Sequence, residues 1–231
     1  MTGCGREIGG LPCCTVIHGA CEDFLWMLST DIDLVVTDPP YGMEFVSCYR
    51  KVKYTPIVGD ACLPVDTIKK LIEIPRLASY FFCRWDNLWE HGDLPKPNSV
   101  ITWIKNNWSM GDLQHEHGRA TECALFYPGP EHIFKFRGPD FLYASRTHNE
   151  MHPTQKPVEL IKKMLSWYDF ETVLDPYMGS GTTALAAMQM RKHFLGFEID
   201  DVHFATACAR INAQRGIVTA DPDAKQPTLF G

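Results

Sequence analysis

Short apolar runs alternate along the chain with longer segments whose apolar residues recur at helical spacing. Seven runs of three to five residues, rich in β-branched and aromatic side chains, predict buried strands over 15–17, 34–37, 80–83, 100–104, 124–127, 172–174 and 194–197. Five amphipathic segments predict helices over 20–29, 61–73, 157–167, 181–191 and 201–214. This alternation predicts a doubly wound α/β fold with seven strands, which binds ligands at the carboxyl ends of its strands.

Two stretches lack this periodicity and are predicted to be long loops. Residues 42–60 carry mixed charge, and residues 128–156 are rich in proline, glycine, histidine and arginine. Loops of this length in a compact domain are usually lids or binding loops. After residue 216 the periodicity ends, so we expect one domain over 1–216 and a flexible tail over 217–231.

Composition narrows the class of protein. The chain has 231 residues, 45% of them hydrophobic, which suffices for one substantial core. We expect a cytoplasmic protein, because no apolar run reaches the roughly 18 to 20 residues of a membrane span and the N-terminus lacks the order of a signal peptide. The net charge of −6 argues against a protein that coats nucleic acid non-specifically.

The nine cysteines are scattered and odd in number, which predicts buried free thiols rather than a disulfide framework. Paired C-x-x-C spacing is absent, and the adjacent pair Cys13 and Cys14 is not expected to chelate one ion. His115 and His117 lie in a polar stretch that predicts a surface loop. We therefore expect no metal.

The segment Asp38-Pro39-Pro40-Tyr41 directly follows the strand predicted over 34–37. Neither proline has an N–H, so the turn presents carbonyl oxygens that no local amide pairs with. A carboxylate, a carbonyl oxygen and an aromatic face together suit a planar group that carries an NH2. The exocyclic amine of a nucleobase is such a group.

A second motif combines a strand, a turn containing Gly179 and Gly181, and a helix start, which lets a ligand approach the backbone closely. Glu198 ends the next predicted strand, where a carboxylate can accept hydrogen bonds from ribose hydroxyls. Ala184 stands where a dinucleotide fingerprint has its third glycine, and Asp175 precedes the turn. A cationic or zwitterionic ligand is therefore favoured over a pyrophosphate, and S-adenosylmethionine fits.

Together these motifs resemble the amino-methyltransferases that modify adenine N6 or cytosine N4 in DNA, in the subgroup whose Asp-Pro-Pro-Tyr motif precedes the cofactor motif. The similarity covers about residues 14–215 and includes segments 32–38, 103–106, 152–157 and 175–183. It implies a Rossmann-like methyltransferase sheet with permuted motif order. Aspartate at the start of the motif implies adenine N6 as the acceptor, with cytosine N4 or RNA as alternatives.

The resemblance also implies roles for individual residues. The catalytic set is Asp38, Pro39, Pro40 and Tyr41: the Asp38 carboxylate and the Pro39 carbonyl would accept the amine hydrogens, and Tyr41 would stack on a base flipped out of the duplex. The implied contacts with S-adenosylmethionine are Ala20, Cys21, Asp38, His152, Lys156, Asp175, Pro176, Tyr177, Gly179, Gly181, Thr182 and Glu198. Family members commonly have aspartate at the position of Ala20, so adenine recognition there would fall to backbone groups of Ala20 and Cys21 or to another side chain, with weaker cofactor binding as the alternative.

Contacts with DNA and with partner proteins are less sharply indicated. Lys135, Arg137 and Arg146 could hold phosphates or read guanine edges, and a solvated surface is the alternative for each. Residues 226–230 resemble the peptide by which bacterial replication proteins dock on the sliding clamp, with a frayed tail as the alternative. We expect a monomer or homodimer from a bacterial or phage modification system.

Overall fold

The computed structural model of the protein has a mixed α/β architecture. It describes residues 5–28, 31–40, 63–84, 93–109, 114–115, 117–146 and 155–216, with only the backbone at 108 and 109. The predicted loop over 42–60 and the predicted tail over 217–231 lie outside these residues. Within the described ranges, no helix is both long enough and apolar enough to cross a membrane.

Each of the seven predicted strands is found. The strands are β1 (Glu7–Ile8), β2 (Leu11–Pro12), β3 (Thr15–His18), β4 (Leu34–Thr37), β5 (Ala78–Cys83), β6 (Ser99–Ser109), β7 (Arg119–Pro128), β8 (Phe141–Tyr143), β9 (Thr172–Asp175) and β10 (His193–Glu198). The first two form an antiparallel hairpin, and the other eight form one sheet in the order β3-β10-β9-β4-β5-β7-β6-β8. Strand β7 is antiparallel to both of its neighbours, whereas the other adjacent pairs are parallel.

In the part of the chain that the structure describes, four helices cover the sheet: α1 (Val65–Glu73), α2 (Val158–Leu165), α3 (Thr182–Gln189) and α4 (Asp201–Gln214). The predicted helix over 20–29 is wrong. A 3-10 turn at Cys21–Asp23 stands there instead, and the amide of Met27 bonds the carbonyl of Phe24 three residues earlier. The indole N–H of Trp26 also donates to the Asp23 carbonyl, at 2.9 Å. These hydrogen bonds join residues three positions apart, whereas those of an α-helix join residues four positions apart.

Strand periodicity assigns side chains to two cores, one on each face of the sheet. Leu34 and Val36 of β4 pack with helices α2, α3 and α4, whereas Val35 between them packs with α1 and the N-terminal hairpin. In β5, Phe82 belongs to the first core and Phe81 to the second. Because both faces are covered, these strands consist of consecutive apolar residues rather than alternating ones.

Two sequence predictions need correction. The sheet has eight strands rather than seven, because the three-residue strand β8 pairs with the edge of β6 inside the predicted loop over 128–156. Cys13 is disulfide-bonded, contrary to the expectation of thiols throughout. Sequence spacing could not show this, because disulfide formation depends on distances across the fold. The reduced cysteines among the described residues are Cys14, Cys21, Cys83, Cys123 and Cys208.

Candidate active site

Four parallel strands bring the two sequence motifs to one edge of the sheet. Strands β4 and β9 are neighbours, so Asp38, just after β4, and Asp175, the last residue of β9, lie at adjacent carboxyl ends. Glu198 ends β10 on the other side of β9, and Ala20 and Cys21 follow β3 beside it. The structure therefore places these predicted residues along one edge of the sheet, the edge at which open α/β sheets bind ligands.

Asp175 is a buried carboxyl group at the centre of this edge. Its Oδ1 accepts a hydrogen bond from the Thr37 hydroxyl at 2.6 Å and one from the Tyr177 amide at 3.3 Å. Burial raises the pKa of Asp175 to about 6, and the hydrogen bonds from Thr183 and Thr37 oppose that rise. A ligand cation close to this carboxyl group would favour its ionised form.

The glycine turn after β9 requires glycine at two positions. Gly179 and Gly181 have φ of 53° and 84°, in the left-handed region that glycine adopts without steric cost. A Cβ on Gly181 would also lie 3.2 Å from the Cβ of Ala207, so glycine lets α4 pack closely against the turn. The Arg210 guanidinium donates to the Ser180 hydroxyl at 2.9 Å and holds the turn from that side.

Glu198 ends β10 directly beside the glycine turn. One carboxylate oxygen accepts the Gly179 amide at 2.7 Å, and the other accepts the Asp200 amide at 2.9 Å. Burial raises the pKa of Glu198, and these two N–H groups counteract part of the rise. A carboxylate oxygen can accept more than one hydrogen bond, so ribose hydroxyls could be accepted in addition to the amides.

Glu22 is a residue of this edge that the sequence analysis missed. It follows Ala20 and Cys21, and its Oε1 accepts hydrogen bonds from the Tyr177 hydroxyl at 2.9 Å and the Thr67 hydroxyl at 3.2 Å. Tyr177 therefore links the glycine turn to the segment after β3. An acid two residues beyond the usual aspartate position was the sequence signal for Glu22.

A row of alternating charges leads away from Asp38. The Lys156 ammonium donates to Oδ2 of Asp38 and lies 3.2 Å from Oε2 of Glu122. The Lys105 ammonium contacts the other oxygen of Glu122 at 2.5 Å. Lys156 also stands over the ring of Phe82, 5.0 Å from its centroid. We call Asp38, Lys156, Glu122 and Lys105 the charge row.

Burial and pairing act against each other in the charge row. Burial alone would lower the pKa of Lys156, but the Asp38 and Glu122 carboxylates outweigh it and raise that pKa. Burial alone would raise the pKa of Glu122, but Lys156 and Lys105 outweigh it and lower that pKa. The interior members therefore stay charged at neutral pH, and a fixed ammonium faces the carboxylate of Asp38.

Comparison with protein families matches residues 84–208 to a family model described as DNA methylase. The candidate methylase YubD of Escherichia coli (strain K12) is 32% identical over 196 residues, which are 79% of this chain and 82% of that protein. The chain belongs to the DNA methylase family. This methyltransferase acts on DNA and takes its methyl group from S-adenosylmethionine.

Further relatives agree with this assignment. The type II methyltransferase M.HindIII of Haemophilus influenzae is 38% identical to the methyltransferase over 142 residues, 55% of this chain and 44% of that enzyme. Among solved structures, a complex of M1.HpyAVI with S-adenosylmethionine is similar with a TM-score of 0.63 and 24% identity, covering 86% of this chain and 99% of the other. The cytosine-N4-specific PvuII methyltransferase has a TM-score of 0.66 and 14% identity, covering 88% and 90%. These two structures support the fold.

The remaining predicted site residues of the methyltransferase fall into two groups. Pro39 is buried and Pro40 half-buried beside Asp38, and Pro176 and Thr182 are buried in the glycine-turn segment. Gly181 caps α3, and no side chain caps that helix end. Tyr41 and His152 lie outside the described residues, so their predicted roles stay predictions.

The three basic residues predicted to contact DNA do not lie together. Arg146 follows β8, which is parallel to β6 and leads to the edge of Asp38; its amide bonds the Asn107 side chain at 2.8 Å. Lys135 and Arg137 are exposed after the far end of β7, where the Lys135 amide bonds the carbonyl of Trp167 at 2.8 Å. The structure thus brings Arg146 to the site edge and leaves Lys135 and Arg137 at the opposite edge.

Proposed function

We propose that this methyltransferase transfers the methyl group to the N6 amine of adenine in DNA. The observation that carries the proposal is Asp38, a carboxylate at the carboxyl end of β4 directly beside the buried acid that ends β9. Aspartate opens the catalytic motif here, and the family resemblance associates aspartate at that position most often with adenine. Cytosine N4 is the second candidate, because the similar PvuII structure is cytosine-N4-specific.

The residues at the carboxyl edge fit S-adenosylmethionine. Asp175 and Glu198 are buried acids whose pKa values are raised, so hydrogen-bond donors or a positive charge placed beside them would be bound favourably. The Gly179 and Gly181 turn leaves the backbone open to a ligand. We assign Asp175 and the turn to the methionine end and Glu198 to the ribose, with the backbone at Ala20 and Cys21 next to the adenine.

An aryl amine is a weak nucleophile, because its lone pair is delocalised into the ring. Asp38 and the Pro39 carbonyl would accept the two amine hydrogens and hold the lone pair toward the reacting carbon. The bound cofactor supplies a methyl carbon attached to a sulfonium. Held in this way, the amine nitrogen would form a bond to that carbon while the carbon–sulfur bond breaks and its electron pair stays on sulfur, and the methylated amine would lose one proton to water. Acceptors fixed in advance stabilise the positive charge that develops on nitrogen.

The contacts of Lys156 support a second role beside the cofactor contact that the resemblance implied, which stays a prediction. Its ammonium contacts Asp38 and Glu122 rather than the acids of the glycine-turn segment. We assign Lys156 as the positioning residue that orients the Asp38 carboxylate, and Glu122 and Lys105 as the pair that holds Lys156 in place. The Lys156 ammonium also packs on the face of the Phe82 ring, which restricts where the ammonium can lie.

We also propose how the methyltransferase contacts DNA and which partners it has. The target base would be rotated out of the duplex to reach Asp38, with Tyr41 stacked on it. Arg146 is the basic residue best placed to hold a nearby phosphate, since it lies at the edge of Asp38. The proposal also includes one domain over residues 1–216 and a clamp-binding peptide at 226–230. It further includes a monomeric or homodimeric state and a location in the bacterial cytoplasm.

Nucleoside analysis tests the proposal. The protein is incubated with labelled S-adenosylmethionine and with duplex DNA, single-stranded DNA or RNA, and each product is digested to nucleosides. The expected result is label in N6-methyl-2′-deoxyadenosine from the DNA samples. Label in N4-methylcytosine would replace the proposal by the second candidate, and label in RNA alone would contradict action on DNA.

A further inference from the structure

The outer strand β8 carries two exposed aromatic rings that the methyl-transfer chemistry does not use. Phe141 and Tyr143 are 43% and 61% exposed, whereas Leu142 between them packs into the first core, so both rings lie on the other face of β8. We infer that these two rings, with Arg146 and Lys163, bind an unpaired base and the adjoining phosphates of the DNA substrate. This inference rests on the proposed function, because it takes DNA with a base rotated out of the duplex as the substrate.

Strand β8 leads to the same edge of the sheet as Asp38. Tyr143, the last residue of β8, is paired with Ile104, directly before Lys105 of the charge row. Four strand-to-strand steps separate β4 from β8, so at the usual spacing Tyr143 lies about 19 Å from Asp38 along the edge. At the rise of about 3.4 Å per nucleotide in one strand of a duplex, this distance is about six nucleotides. One DNA molecule can therefore contact both positions.

The arrangement of the two rings leaves a face open for stacking. Their centroids are 5.7 Å apart and their planes meet at 76°, so the edge of one ring packs on the face of the other. Neither ring is covered on both faces by this contact, and Tyr143 is the more exposed of the two. Phe141 restricts the orientation of Tyr143. Every base has a flat π-face, and stacking on an aromatic side chain is how proteins bind single strands with little sequence preference.

Two cations flank the rings. The Lys163 ammonium donates to the Tyr143 carbonyl at 3.1 Å, which places a positive charge one residue's width from the exposed ring. The Asn107 side chain accepts a hydrogen bond from the Arg146 amide at 2.8 Å and donates one to the Arg146 carbonyl at 3.3 Å. These bonds fix the backbone of Arg146 three residues beyond Tyr143. An aromatic ring between two cations suits a base and its phosphates.

A protein partner fits this surface less well than DNA. Lysine is depleted at protein–protein interfaces, whereas a phosphate backbone requires cations. Pairing of β8 with a strand of another chain is also disfavoured, since β8 has only three residues and very short edge strands limit such pairing. Lys163 already engages one carbonyl of this strand. Charge and strand length therefore favour a nucleic-acid strand over a second copy of the chain.

Binding of a single strand tests the stacking contact. The full chain is titrated into a fluorescently labelled DNA strand of about 16 nucleotides, and anisotropy gives the dissociation constant. We expect Tyr143→Leu to weaken binding about 5- to 100-fold, the loss of one stacked base, and Tyr143→Trp to stay within about threefold of wild type. The matched control is Trp26→Leu, which removes an 81% exposed aromatic ring from the segment after β3 and should bind like wild type.

The salt dependence of the same titration tests the phosphate contacts. Each phosphate neutralised on a single strand contributes about 0.7 to the slope of log affinity against log salt concentration. Lys163→Gln and Arg146→Gln should each make that slope shallower by about this amount. Lys69→Gln removes a lysine from α1 and should leave the slope unchanged. Wild-type slopes in both Lys163→Gln and Arg146→Gln would contradict the phosphate contacts.

Cross-linking of the wild-type chain keeps the test decisive if a variant does not fold. Single strands that carry photoreactive 5-iodouracil at successive positions are irradiated with the protein, and mass spectrometry should find a cross-link at Phe141 or Tyr143. Cross-links confined to other residues, or wild-type binding by Tyr143→Leu, would overturn the inference and leave the nucleoside analysis of the proposed function unaffected. A concentration-dependent dimer that Tyr143→Leu abolishes would also overturn it, by assigning the surface to a second copy.

Discussion

The Lys156→Met variant tests whether Lys156 orients the Asp38 carboxylate or contacts the cofactor. The change removes one buried positive charge and keeps most of the side-chain volume. Lys156 Nζ lies 3.2 Å from Glu122 Oε2, so at an effective dielectric constant of about 20 their attraction is about 5 kcal/mol before desolvation is counted. Loss of one partner from a buried ion pair typically costs about 3–5 kcal/mol of unfolding free energy, because Asp38 and Glu122 then lack this compensating charge.

We expect the rate of methyl transfer at saturating cofactor to fall by about 10²–10³, the usual loss when a preorganised polar group is removed from an active site. Cofactor affinity, measured by calorimetry, should stay within about threefold of wild type, because binding and turnover report different interactions. Unfolding in urea, followed by circular dichroism, measures the stability cost and establishes the temperature at which the variant is folded.

The matched control is Lys162→Met on α2, whose ion pair with Glu159 is exposed at the surface. Such pairs contribute about 0–1 kcal/mol, so this variant should resemble wild type in both assays. A folded Lys156→Met variant with wild-type turnover would refute the positioning role. Unchanged turnover together with a tenfold or greater loss of cofactor affinity would restore the cofactor contact that the resemblance implied.

Two further predictions concern pH. Because the pKa of Asp175 is about 6, affinity for S-adenosylmethionine should rise as pH increases from about 5 to 7 and ionises Asp175, and Asp175→Asn should abolish the dependence in calorimetric titrations. Burial alone would raise the pKa of Asp33, but the Glu171 and Thr172 amides and Arg76 outweigh it and lower that pKa. Its stabilisation is therefore present above about pH 4 and lost as pH falls through the folded pKa, so Asp33→Asn should flatten the acid decline in urea unfolding.

The sheet was predictable because its central strands are buried on both faces. Runs such as 34–36 and 194–197 contain no polar side chain, and that pattern identifies a buried parallel strand without knowledge of its neighbours. Strand β8 was missed because it has only three residues at the sheet edge. Phe141 and Tyr143 are exposed there and only Leu142 is buried, so the apolar pattern was too short to detect.

The candidate site was predictable where function is concentrated in contiguous motifs. Both motifs carry their chemistry in adjacent positions, and neighbouring strands bring residues 38–40 and 175–181 to one edge of the sheet. The charge row has no such signature, because Lys105, Glu122 and Lys156 meet across three elements distant in sequence. Glu122 lies in β7 but outside the part of it predicted from the sequence, 124–127, so no local pattern marked this residue.

The most direct test of the central claim compares Asp38→Ala with wild type for methyl transfer and cofactor binding on the same samples. The account predicts that the variant binds S-adenosylmethionine about as tightly as wild type, because the acids of β9 and β10 remain, and transfers no measurable methyl group to adenine in DNA. Wild-type transfer by a folded Asp38→Ala variant would contradict the account.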